Sequence, residues 1–190
     1  MLERRKKSKL HSSIRIVVTV ASKLPFIFTM SAATSMTPLG FAKVQEGIYR
    51  SAYPASKALP FIEQLGLRSF ICLSPNDVRP DLEDFCLNRN IQMFKFDLKH
   101  NQDPFLIMDE GLMRDIQHCL QQPENLPLLI FCTAGKIRTG CVVGCYRKHQ
   151  KWSMSSIIAE FEQFTEPDGS LCDMHFIDAY EPTEPSVVIL

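Results

Sequence analysis

Apolar positions fall in short blocks whose spacing alternates between that of a strand and that of a helix. The segment GIYRSAYP (47–54) reads as a short strand closed by a turn at Pro54. Ser56 stands where a helix running to about Leu65 would be capped, with Gly66 as its left-handed terminator. RSFICL (68–73) predicts a buried strand, Asp81 to Leu87 a helix stopped near Asn90, and IQMFKFDL (91–98) another strand. Asp109 to Leu120 has helical spacing through Leu112, Ile116, Cys119 and Leu120, and after Pro123 and Pro127 the run LLIF (128–131) predicts a strand buried on both faces. Helices are expected from Thr139 to about Gln150, from Ser153 to Phe164 with Ser153 or Ser155 as cap, and over DMHFIDAY (173–180). This rhythm predicts an α/β fold with a central, mainly parallel sheet flanked by helices.

Length and charge refine that picture. The 190 residues suit one catalytic domain with tails: a basic leader over 1–38, disordered or targeting, a domain over 39–182, and a loose tail over 183–190. The first 35 residues hold seven basic side chains against Glu3, so of 21 basic and 21 acidic residues in the chain the remainder keeps fourteen and twenty, a net charge of −6. Such a body is not a general binder of nucleic acid or membranes, and a polyanion must be met by a local basic patch. The apolar run Ile16–Val20 is too short for a membrane span, which needs roughly 20 residues. Seven cysteines, lying mostly in apolar runs without paired metal spacing, predict reduced core thiols and no metal site. The expected compartment is the cytoplasm, with the nucleus or an organelle reached through the leader as alternatives.

Cys132 is the exception among those thiols. LLIFCTAGKIRTG is a buried strand, a short glycine-containing loop and a helix start. That order gathers loop amides and a helix N-terminus around one point, which is an anion site. Amides and Arg138 around the sulfur favour thiolate over thiol, and the five residues between Cys132 and Arg138 let the guanidinium grip two oxygens of a bound phosphate. A cysteine and an arginine at this spacing are weak evidence alone. The preceding strand, Gly135 inside the loop, and Thr139, Gly140 and Gly144 after it make the case.

These residues, with GIYRSAYP, LRSFICLSP, DPF (103–105), CTAGKIRTGCVVGCYRKHQKW (132–152) and FIDAY, resemble the plant and fungal atypical dual-specificity phosphatases, the Siw14-like branch of the protein-tyrosine-phosphatase superfamily. The resemblance implies a cysteine-phosphatase fold, no metal or other cofactor, and small polyphosphorylated substrates, foremost inositol pyrophosphates cleaved at the 5-position β-phosphate. Lys136, Arg147, Lys148 and Lys151 would then form the basic patch. Two residues depart from the family pattern, which has His where Phe131 and Ile137 stand. The first change is expected to loosen the loop and slow turnover; the second puts an apolar wall beside the substrate.

The implied reaction has two steps, attack of Cys132 on phosphorus and hydrolysis of the thiophosphate. Thr133, Ala134, Gly135, Lys136 and Ile137 would hold the substrate, and Thr139 would donate to the departing sulfur. Asp103 is the candidate general acid, with Asp97, His100 and Asp109 as alternatives; Lys99 and His100 are candidate phosphate contacts. The rival readings are a phosphotyrosine or dual-specificity protein phosphatase, a phosphate-binding pseudophosphatase acting as an interaction module, and a redox-sensing thiol.

Overall fold

Five strands form one sheet in the order β1 (Ala42–Gln45), β2 (Ile48–Ala52), β5 (Leu128–Cys132), β3 (Ser69–Cys72) and β4 (Gln92–Lys95). The computed structural model describes residues 36–99 and 108–182. Only the edge pair β1–β2 is antiparallel; β2, β5, β3 and β4 run parallel. The expected architecture is therefore present, with the unanticipated strand β1 added at an edge. AKVQ has neither the length nor the apolar content that marks a strand in sequence, and its pairing slips between Lys43 and Gln45.

The helices among the described residues are α1 (Leu59–Glu63), α2 (Pro80–Arg89), α3 (Glu110–Gln121), α4 (Ile137–His149), α5 (Met154–Thr165) and α6 (Leu171–Ala179). Side-chain caps start three of them. Asp109 caps α3 by accepting from the Leu112 N–H at 3.0 Å, and Ser153 caps α5. Ser170 and Asp173 make a reciprocal capping box that starts α6 two residues earlier than its apolar pattern suggested. The helix expected from Ser56 is instead a 3₁₀ turn (Ser56–Ala58) running into the short α1. Ser56 caps nothing there; its hydroxyl donates to Asp81 at 2.5 Å.

β5 is the central strand and is buried along its whole length. Its side chains alternate between two cores, as a pleated strand requires. Leu128, Ile130 and Cys132 join the core containing Met113, Ile116, Val142, Ile157 and Ile177, whereas Leu129 and Phe131 join that of Ile62, Phe70, Leu82 and Phe85. Cys132 thus faces the α3–α6 side and Phe131 the α1–α2 side. Against the first side lies α4, buried nearly throughout. Two glycines let its neighbours close in: a Cβ on Gly140 would sit 2.9 Å from the Phe161 ring of α5, and one on Gly144 2.9 Å from Ile177 of α6.

Candidate active site

The chain leaves β5 at Cys132, turns through residues 133–136, and enters α4 at Ile137. Gly135 makes so short a turn feasible for two reasons. Its φ is +70°, and a Cβ there would lie 2.4 Å from the Ala52 nitrogen and 2.6 Å from the Ser51 carbonyl carbon. The loop therefore rests directly on the end of β2, where only a hydrogen fits. Backbone bonds then fix its peptide planes: the Tyr53 N–H donates to the Thr133 carbonyl at 3.4 Å, and the Gly140 N–H to the Lys136 carbonyl at 2.6 Å. The second of these opens α4, whose first N–H groups have no acceptor within the helix and receive no cap from the Lys136 side chain.

Around the sulfur this leaves a pocket of about 220 Å³. Cys132, Thr133, Ala134 and Lys136 line it from the strand end and loop, Ile137 and Arg138 from the first helical turn, and Asp168 from the segment after α5. Cys132 is 3% exposed. The expected meeting of Cys132 and Arg138 in one hollow is thus present, with a helix N-terminus beside it. Such an arrangement can hold a phosphoryl group and offer it a sulfur nucleophile.

Other expected site residues are placed differently. Gly135 does not line the pocket; it closes the loop on β2. Thr139 is fully buried behind the first turn, and its hydroxyl has no hydrogen-bond partner among the described residues. Lys99 and Asp97 are exposed and outside the pocket lining, and Asp109 is occupied as a helix cap. His100 and Asp103 lie outside the described residues.

The basic patch needs correction. Arg147 is buried, paired with both Glu160 oxygens at 2.7 and 2.8 Å, bonded to the Val44 carbonyl at 2.9 Å, and stacked over Trp152. It follows Arg138 by nine helical residues, about 14 Å along the axis. Lys148 donates to the Asp178 carbonyl at 2.5 Å near the same far end. Of the four basic residues expected to meet substrate, Lys136 alone lines the pocket.

Three neighbours of the site escaped the sequence reading. Asp168 binds Lys136 Nζ at 2.5 Å. Ser74, just past β3, places its hydroxyl 3.4 Å from that of Thr133. Arg50 of β2 is buried beneath the loop and donates to the Gly135 carbonyl at 3.1 Å. A charged residue inside the strand pattern IYRSA was the available signal for Arg50; Asp168 in EPDGS looked like an ordinary turn residue.

Burial pushes Cys86 and Cys119 up to about 11 and raises Cys141 and Cys145 further, which keeps all four protonated near neutral pH. Seven cysteines are free, and no cluster of metal-ligating side chains occurs among the described residues. Nor is any described helix long and apolar enough to cross a membrane.

Known proteins are similar to this chain in sequence and in fold. The chain is 38% identical over 144 residues to inositol diphosphatase DSP1 of Oryza sativa subsp. japonica, covering 76% of this chain and 65% of that one. It is 33% identical over 148 residues to inositol diphosphatase SIW14 of Saccharomyces cerevisiae, covering 77% and 53%. The chain thus spans somewhat under two thirds of the rice relative and about half of the yeast one. The crystal structure of the core catalytic domain of the S. cerevisiae PP-IP phosphatase SIW14 superposes with a TM-score of 0.73 at 32% identity, covering 77% of this chain and 88% of that one. The family model described as "Tyrosine phosphatase family" matches residues 35–187, and with the cysteine and arginine of its pocket in place the chain belongs to that family.

Proposed function

We propose that the protein is a metal-independent cysteine phosphatase that hydrolyses inositol pyrophosphates at the 5-position β-phosphate. The observation that carries this reading is the shared pocket of Cys132, Lys136 and Arg138 at the N-terminus of α4. The relatives named inositol diphosphatase support the choice of substrate.

In the first step the Cys132 thiolate attacks phosphorus, an S–P bond forms and the bond to the leaving oxygen breaks. Loop amides and Arg138 stabilise the charge on the phosphoryl oxygens. A departing phosphate is a weaker base than an alkoxide and asks for less proton donation. Asp103 is our candidate donor. Water then attacks the thiophosphate, the S–P bond breaks, and inorganic phosphate leaves with the thiolate restored. Ile137 walls one side of the pocket and favours a substrate whose contact there is a ring face or a carbon edge. Seven free cysteines fit a reducing compartment such as the cytoplasm.

The test is phosphate release from a panel of inositol pyrophosphates, phosphotyrosine peptides and nucleotides. Turnover greatest on a 5-pyrophosphate supports the proposal. Turnover confined to phosphopeptides replaces it with a protein phosphatase, and binding without turnover replaces it with a pseudophosphatase.

A further inference from the structure

β2 carries a charge where a parallel strand beside the sheet centre calls for an apolar or small side chain. Arg50 is 1% exposed and pairs in register with Ile130, two residues before the nucleophile. Its guanidinium lies 3.8 Å over the Phe164 ring and donates from one Nη to the Gly135 carbonyl at 3.1 Å. Nε and the other Nη are buried without a hydrogen-bond partner among the described residues. A buried cation with so few partners opposes folding, and desolvation brings Arg50 down to about 10. Arg50 does not line the pocket, so it is not placed as a substrate ligand.

The geometry points to Arg50 as a positioning residue that fixes the phosphate loop from behind by holding the Gly135 carbonyl. This inference rests on the phosphatase reading. In a planar trans peptide the carbonyl and the next N–H point in opposite directions. Arg50 draws the Gly135 carbonyl toward itself and so turns the Lys136 N–H away from the buried side. The Tyr53 N–H, bound to the Thr133 carbonyl, does the same for Ala134.

The experiment compares wild type, Arg50→Met and Arg50→Lys in the full chain by two readouts. One is protection of Cys132 from iodoacetamide by inorganic phosphate at a fixed pH, followed by peptide mapping; the other is kcat on the best substrate of the panel. Arg50→Met is expected to raise the phosphate concentration needed for half-protection roughly tenfold or more, because the loop N–H groups no longer converge on the anion, and to lower kcat roughly tenfold to hundredfold. Arg50→Lys should restore part of both, because an ammonium lacks the planar fork and the stacking face. Arg50→Met protection and kcat that match wild type overturn the inference. If Arg50→Met does not fold, Arg50→Lys decides, and unchanged protection and kcat there overturn it. Wild type without turnover on any phosphate defeats the phosphatase reading instead, and the protection comparison still judges Arg50.

Discussion

Lys136 and Asp168 meet at the wall of the Cys132 pocket with Nζ and Oδ2 2.5 Å apart, and Lys136 reaches the Glu166 carbonyl at 3.4 Å as well. The pocket's one lysine is therefore bound to a carboxylate that itself lines the anion site. An incoming polyphosphate must compete with Asp168 for that ammonium. Asp168→Asn should lower KM for a highly anionic substrate roughly threefold to tenfold with kcat nearly unchanged, and the gain should shrink at high salt, since the pair is partly exposed. Steady-state kinetics at two ionic strengths checks this; a collapse of kcat would show that Asp168 moves a proton.

Arg147 was expected to meet substrate and instead holds β1, α4 and α5 together through Val44, Glu160 and Trp152. Arg147→Met leaves the partly buried Glu160 carboxylate and the Val44 carbonyl without their partner and should destabilise the protein by about 1–3 kcal/mol. Wherever the variant remains folded, KM should equal that of wild type. Lys136→Ala should do the opposite, raising KM with little loss of stability. Urea denaturation and kinetics on the two variants separate these outcomes.

Phe131, expected to loosen the loop, points its ring away from the sulfur into the opposite core. It makes edge contacts with Tyr53 and Phe70 at 5.2 and 5.7 Å and is fully buried. These contacts brace the loop's entry strand without the hydrogen bonds that an imidazole would make. Phe131→His places a polar ring in that aromatic cluster and should cost about 1–3 kcal/mol. Thermal unfolding should then begin roughly 2–10 °C lower, without faster turnover. A gain in kcat would show that an imidazole at 131 reaches the loop.

The buried thiols give stability an alkaline limit. Cys86 and Cys119 are pushed up to about 11, Cys141 and Cys145 higher still, and Tyr180 to about 12, all chiefly by burial. A folded state that holds protons more tightly than the unfolded chain loses stability as pH rises above the unfolded value, about 8.5 for a thiol. The melting temperature should be level from pH 7 to 8 and fall steadily from pH 9 to 11. A flat profile over that upper range would contradict the burial of these groups.

The nucleophile, the arginine and most of the elements were legible in sequence because each depends on local order. A fully apolar run predicts a central parallel strand, and the Cys-to-Arg spacing measures a loop. Strand β1 was not legible, since its pairing with β2 is a property of two segments. Arg50 and Asp168 were missed for the same reason: their meaning lies in Gly135 and Lys136, 85 and 32 positions away. Arg147 was misplaced because a basic residue on a helix gives no sign in sequence of which end of the helix the site occupies or of its pairing with Glu160.

The proposed mechanism requires Cys132 to become covalently phosphorylated. Rapid acid quench of wild-type protein during turnover, followed by mass analysis of the peptide containing residue 132, should find one phosphoryl group on that cysteine. It should be absent from Cys132→Ser and diminished in Arg138→Lys. Turnover that persists in Cys132→Ser, or a phosphoryl group found on another side chain, would contradict it.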